Sequence, residues 1–185
     1  MELENPRFSR IFSVDPGLIN IGLAILDSEW RILELRLTNL TLDGGIIAHQ
    51  RELDLPSFLQ FLTEQIEFWL NRYVLPRIPM DDSTILFIVE ENSDKLVFTR
   101  DWCGILAGLL HPYPRIQFKT VYPPNVSRWL GDLGKKRGIN RIGKKRFTIK
   151  MIEELERNPS ATVIQLNEHS ADAAANALYI RDRFF

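Results

Sequence analysis

Cysteine is almost absent from this chain: one thiol, Cys103, in 185 residues. An internal disulfide is excluded, and the apolar run around Cys103 makes it a core side chain rather than a reactive one, which fits an intracellular, reducing compartment. No apolar run approaches the length of a membrane span, so no membrane partner is expected. The first residues, Met1 to Pro6, are acidic where a secretion signal is basic and then apolar. Internal repeats, low-complexity segments and glycine-rich phosphate loops of the Walker or dinucleotide type are missing as well. Net charge is only −1, so no global field draws in a polyanion, and a nucleic-acid site must come from local clustering. What is present, 45% hydrophobic and 25% charged residues, is the composition of one globular domain, 1–185, with a sizeable core.

The chain is organised around Ile11 to Leu26. An apolar run ends in Asp15, turns on Pro16-Gly17 and leaves as a second apolar run, which predicts strand, tight turn and antiparallel strand. Asp15 then lies at the exit of a buried strand. Gly17 and Gly22 lack a Cβ, which permits positive φ in the turn and close approach of something bulky, such as a sugar-phosphate chain. An Asp-Pro-Gly turn is equally a simple structural cap, so Asp15 acquires meaning only from other carboxylates in matching places.

Leu33, Leu35 and Leu37 alternate with Glu34, Arg36 and Thr38, predicting a third strand with one wet face, and Asp43-Gly44-Gly45 breaks the meander. Pro56-Ser57 with Gln60 has the form of a capping box, and Phe58, Phe61, Leu62, Ile66, Trp69, Leu70 and Tyr73 continue at helical spacing until Pro76. Thr84 to Val89 is a short, continuous, β-branched run, the mark of a central strand buried on both faces, and it ends in Glu90-Glu91-Asn92. A helix is expected from Thr99 to His111, with Gly104 and Gly108 one turn apart for close approach to the sheet or to another helix. Arg115 to Tyr122 alternates as a further strand, halted by Pro123-Pro124. Strands alternating with helices after a meander predict an α/β fold: a mixed sheet flanked by helices.

From Asn125 to Lys150 the chain becomes basic, with Arg128, Lys135, Lys136, Arg137, Arg141, Lys144, Lys145, Arg146 and Lys150 interleaved with Trp129 and glycines. Most charge runs are solvated faces. Here no acid interrupts Lys135 to Lys150, which favours a phosphate-binding patch. Phe147, Met151, Ile152 and Leu155 carry a helix out of it, Asn158-Pro159-Ser160 ends that helix, and Ala161 to Glu168 shows no pattern. The last helix, from Glu168 to Ile180, places His169, Asp172 and Asn176 on one face at spacings of three and four, and its alanines leave it thin enough to lie against a sheet. Its N-terminal end favours an anionic Asp172 and disfavours a protonated His169.

If Asp15, Glu90 and Asp172 converge, they repel one another unless cations sit between them, and hard oxygen ligands suit Mg²⁺ or Mn²⁺. Two such ions about 3.5–4 Å apart clamp the attacking water and the leaving oxygen of a phosphodiester displacement. That combination, with the basic segment holding the backbone, is the chemistry of a nuclease. Glu91 competes with Glu90, since successive strand residues point to opposite faces and only one can serve; the strand-end position favours Glu90.

Val14-Asp15-Pro16-Gly17 with Asn20 and Gly22, then Ile88-Val89-Glu90, then His169-Ser170-Ala171-Asp172-Ala173-Ala174, resembles in order and context the RuvC-like Holliday junction resolvases of the retroviral-integrase (RNase H-like) superfamily. The resemblance runs from Ile11 to Ile180. It implies an RNase H-like five-stranded mixed sheet, a homodimer, and paired Mg²⁺-dependent nicks across a four-way DNA junction. Carried over, Asp15 and Asp172 become metal ligands, Glu90 bridges or ligates metal, and His169 occupies a place where the family has His or Asp. Lys145, or Lys144 beside it, is similar in position to a lysine that stabilises the reacting phosphate. A second family lysine meets Ser127-Arg128 here, with Arg128 as its substitute. Departures are Glu91-Asn92, where the family often has Gln after the glutamate, and the longer stretch Ala161 to Glu168. Gly104 and Gly108 mark the candidate dimer helix. The competing readings are another RNase H-like nuclease acting on RNA–DNA hybrid or single-stranded ends, an actin-like or sugar-kinase ATPase, for which the chain is too short, and a non-catalytic DNA-binding protein.

Overall fold

The computed structural model describes residues 8–17, 20–40, 54–91, 97–139, 144–155, 162–163 and 166–185. Strands β1 (Arg10–Asp15), β2 (Asn20–Asp27) and β3 (Ile32–Asn39) form the expected antiparallel meander, with Asp15 opposite Gly22 and Asn20 opposite Asn39. Strand β4 (Ile85–Glu90) runs parallel to β1, and β5 (Ile116–Val121) runs parallel to β4. These five make the mixed sheet that the sequence predicts. A two-residue strand, β6 (Thr162–Val163), joins β3 in parallel, so the full order is β5-β4-β1-β2-β3-β6. β6 falls in the stretch that showed no pattern, because two residues are too few to display a period of two.

The two faces of the sheet carry separate cores. On one, Phe12, Val14, Leu23, Phe87 and Val89 pack under helices α1 (Leu55–Trp69) and α2 (Val97–Leu110). On the other, Ile11, Ala24, Leu26, Leu86 and Ile88 pack under α3 (Pro123–Lys136), α4 (Lys144–Leu155) and α5 (Glu168–Phe184). Each face thus takes alternate residues of the same strands, as the pleat requires. Ile85 to Val89 are wholly buried, which accounts for the unbroken apolar run in β4. Among the described residues no helix is long and apolar enough to cross a membrane.

Several local expectations are corrected. The cap of α1 is Asp54, whose carboxylate accepts the Ser57 N–H at 2.9 Å, while Gln60 turns to Glu64. Pro56 therefore sits inside the first turn, where its missing N–H costs nothing. A π-turn (Leu70–Val74) and a 3₁₀ turn (Leu75–Arg77) carry α1 on to Pro76. The wet face expected of β3 is only partly wet: Glu34 and Arg36 are half-buried and Thr38 is buried. Thr38 accepts the Trp69 indole N–H at 2.7 Å, and Glu34 accepts from both Arg36 and Arg77. A register shift between Ile25 and Leu26 passes over Leu33, and Leu33 and Leu37 are left half-buried. In α2, Trp102, Cys103, Leu106 and Leu110 face the sheet, whereas Gly104 and Gly108 are exposed and a Cβ on either would meet nothing within 4 Å. Those glycines are not there for packing on the chain's own sheet.

The basic stretch contains two helices: α4, which Phe147, Met151 and Ile152 lead one to expect, and α3, which the charge pattern concealed. Pro123 and Pro124, which halt β5, open α3. α3 ends in a Schellman turn: Gly138, at φ 67°, donates to Lys135 O, and Ile139 N–H reaches Gly134 O at 2.9 Å. The breaks at Asp43-Gly44-Gly45 and Asn158-Pro159-Ser160, and also Leu18, Ile19, Asn92, Arg141 and Gly143, lie outside the described residues.

Candidate active site

Alternation along the strands decides which carboxylates can meet. Asp15 follows Ile11 and Ser13 on the α5 face of β1, and Glu90 follows Leu86 and Ile88 on the same face of β4. They come directly after the paired Val14 and Val89 on parallel strands, which lie about 4.8 Å apart. Glu91 belongs to the opposite face, and its N–H is committed to Val121 O. Of the two, Glu90 is the one that shares the face of Asp15 and lines the cavity beside Asp172.

Helix α5 supplies the other half. Asn167 caps it, accepting from the N–H groups of His169 and Ser170, while Ser170 Oγ returns to the Asn167 N–H. Its inward side is alanine at 171, 173, 174, 175 and 177, all buried, so the helix axis lies close to the sheet. Closest of all is the first turn over Gly22, where a Cβ would overlap the backbone carbonyl of His169. The bulky neighbour that Gly22 admits is therefore α5 itself. Gly17 is held tightly for a different reason, the return of the turn onto Asn20 O.

This approach sets His169 Nδ1 2.9 Å from Asp15 Oδ2, with the side chains 28% and 14% exposed. The ionised carboxylate can only accept, so Nδ1 carries the proton. The hydrogen bond to Asp15 holds the imidazole above its ordinary range. Burial opposes this, and the charges of Asp15, Glu168 and Asp172 reinforce it. The pocket is thus one that attracts positive charge. One turn on from His169, Asp172 lines a narrow cavity of about 40 Å³ together with Glu90, Asn176, Ser127, Thr148 and Phe147. Asn176 Nδ2 donates to Glu90 Oε2 at 3.2 Å.

The expected residues are therefore brought together in linked pairs rather than as one cage. Asp15 meets His169, Glu90 meets Asn176, and Asp172 lines the same cavity as Glu90 and Asn176. Among the described residues no three His, Cys, Asp or Glu side chains are grouped closely enough to hold a metal ion by themselves. The donor set still fits a hard divalent cation: three carboxylates and one imidazole share one face, and hard oxygen ligands with a single nitrogen suit such an ion.

Of the basic residues, Arg128 on α3, Lys135, Lys136 and Arg137 at its end, and Arg146 on α4 are exposed. Lys135 lies 3.8 Å from Asp132, a long contact for an ion pair. Lys144 and Lys145 open α4, the helix whose Phe147 and Thr148 line the cavity, and their side chains lie outside the described set. A larger hollow of about 450 Å³ lies along the outside of α3, between Arg128, Lys135 and Ile139. Cys103 is buried against β4, donating to Glu90 O at 3.4 Å, and burial, then the charges of Glu91 and Glu90, push its thiol up to about 12. It is inert, as its apolar setting predicts. Ser127 and Thr148 were not singled out as site residues in the sequence. Single hydroxyls carry no pattern, and only the approach of α3 and α4 to β4 places them there.

Strand order and mixed strand direction, with helices on both faces of the sheet, define an RNase H-like fold. Among solved structures, the chain is similar to RuvC of T. thermophilus in complex with a Holliday junction substrate, with a TM-score of 0.55 and 15% identity over 94% of this chain and 93% of that one. It is also similar to fowlpox virus resolvase in complex with substrate Holliday junction DNA, with a TM-score of 0.51 and 13% identity over 95% and 99%. At such identities the likeness is one of fold. No family model and no curated protein matches the sequence.

Proposed function

We propose that this chain is a structure-specific endonuclease, a single nuclease domain that resolves four-way DNA junctions by metal-dependent phosphodiester hydrolysis. The observation that carries the reading is the placement of Asp15, Glu90, His169 and Asp172 on one face at the ends of β1 and β4, in a fold shared with two resolvases solved on junction DNA. Mg²⁺, or Mn²⁺ in its place, would supply Lewis acidity and an activated water when bound as a pair. Asp15, Glu90 and Asp172 would hold the ions through oxygen, and His169 through nitrogen. Lys145, or its neighbour Lys144, would face the reacting phosphate from the start of α4. Arg128, Lys135, Lys136, Arg137, Arg141 and Arg146 would take the flanking backbone, a recognition by phosphate and shape that reads no bases. Two cuts on opposing strands require two sites in fixed relation, so the active form is a homodimer, and the open Gly104/Gly108 face of α2 is the surface we assign to the second copy.

The test is cleavage of a synthetic four-way junction beside linear duplex, flap and RNA–DNA hybrid, with and without Mg²⁺. Wild type should cut the junction preferentially. Asp15→Asn, Glu90→Gln and Asp172→Asn should each abolish cutting yet bind the junction as well or better, since they remove negative charge but leave the basic surface intact. Equal rates on all substrates would replace this reading with a general RNase H-like nuclease. Metal-independent binding without cutting would make the chain an architectural DNA-binding protein.

A further inference from the structure

Asn176 is the one polar side chain on the sheet side of α5 beyond its first two turns. It is 1% exposed and sits among Ala173, Ala174, Ala175 and Ala177. Burying an amide in an alanine surface is unfavourable unless the amide is hydrogen-bonded, and here it donates to Glu90 Oε2 at 3.2 Å. We infer that Asn176 is a positioning residue: it holds the Glu90 carboxylate turned into the cavity shared with Asp172, in the orientation that receives a divalent cation. The inference rests on the metal-dependent reading above and adds to it a residue outside the acid set.

The geometry explains why the residue is an amide. Glu90 ends a strand, where the ladder hydrogen bonds fix the backbone but not the rotation of the carboxylate. A lysine or arginine at 176 would fix that rotation but would also neutralise the charge, competing with the cation for the same oxygens. An aspartate would add a fourth acid and repel Glu90. A buried amide donates a proton without changing the charge, so Glu90 is oriented and remains a full anion. The helical spacing makes the same point. Asp172 and Asn176 are four residues apart, on one face, so one rigid helix presents a candidate ligand and the group that steers another candidate ligand. Hydrogen-bonded supports of this kind typically change metal affinity by about 10- to 100-fold when removed.

The experiment is Mn²⁺ binding to the full chain without DNA, read by the loss of the free-ion paramagnetic resonance signal, in a double-mutant cycle. Asn176→Leu keeps the branched heavy-atom shape and suits the apolar helix face, and Asn176→Ala serves as the second variant should the bulkier methyls of the first disturb the fold, with thermal melting as the check. Asn176→Leu is expected to weaken Mn²⁺ binding about tenfold or more when Glu90 is present and to have no further effect in the Glu90→Ala background. A side chain that merely supports the helix would shift both backgrounds equally, and that result, or unchanged binding in Asn176→Leu, overturns the inference. Wild-type protein that binds no Mn²⁺ at all overturns instead the metal-dependent reading on which it rests.

Discussion

Replacing Gly22 by alanine adds one methyl group at the tightest approach of helix to sheet. The new Cβ would overlap the His169 carbonyl and lie 2.8 Å from Ser170 N, both backbone atoms that cannot rotate aside. Restoring ordinary separation requires the first turn of α5 to lift by roughly 1 Å. The His169–Asp15 hydrogen bond, 2.9 Å in the native structure, would then stretch towards about 3.9 Å and cease to be one. Overpacking of this kind costs about 1–3 kcal/mol, and a clash against backbone belongs at the upper end. For a chain of this size each kcal/mol lowers the melting temperature by about 2–4 °C, so a drop of about 6–12 °C is expected. A second readout is independent of stability. Without its partner the His169 imidazole should titrate nearer the ordinary histidine range, followed by NMR on the ring protons. The sign is fixed by the raised native value: the pair's stabilisation is complete below the free-histidine range and lost as pH rises through the folded value, so the variant should lose most relative to wild type at low pH. A Gly22→Ala protein that melts with wild type and keeps a raised His169 would refute the claim that helix approach builds the site.

Thr38→Val removes the acceptor of the buried Trp69 indole and should cost about 1–3 kcal/mol in urea unfolding, with the midpoint moving and the slope unchanged. For Asp27 burial raises the carboxyl pKa, but hydrogen bonds from the Arg31 N–H, the Arg31 guanidinium and the Glu29 N–H outweigh it and leave the native value lowered. The contribution is therefore present above the ordinary carboxylate range and lost as pH falls through the native value, and Asp27→Asn should flatten the acid limb of a stability-versus-pH curve. Lys135→Ala combined with Lys136→Ala should weaken junction binding and make its log–log salt dependence shallower by about 0.9 for each phosphate these lysines neutralise. An unchanged slope would remove these side chains from the DNA surface.

Elements with strong periodicity were legible in the sequence alone. The meander, the fully apolar β4 and the thin alanine face of α5 each impose a pattern that survives any packing. Acids at the ends of two strands and in the first turns of one helix were equally plain, whereas the hydroxyls Ser127 and Thr148 that line the same cavity were not. Where local signals competed, they misled: Ser57 had the chemistry of a helix cap, but Asp54 lies where the chain turns, and prolines that end a strand can equally begin a helix. The choice of Glu90 over Glu91 belongs to the tertiary structure, because strand register against β1 fixes which side of the pleat each occupies. So does the finding that Gly22 makes room for a helix rather than a ligand, and that Asn176 steers Glu90 across 86 positions of sequence. Those facts are distances between segments remote in the chain, and local propensity contains no term for them.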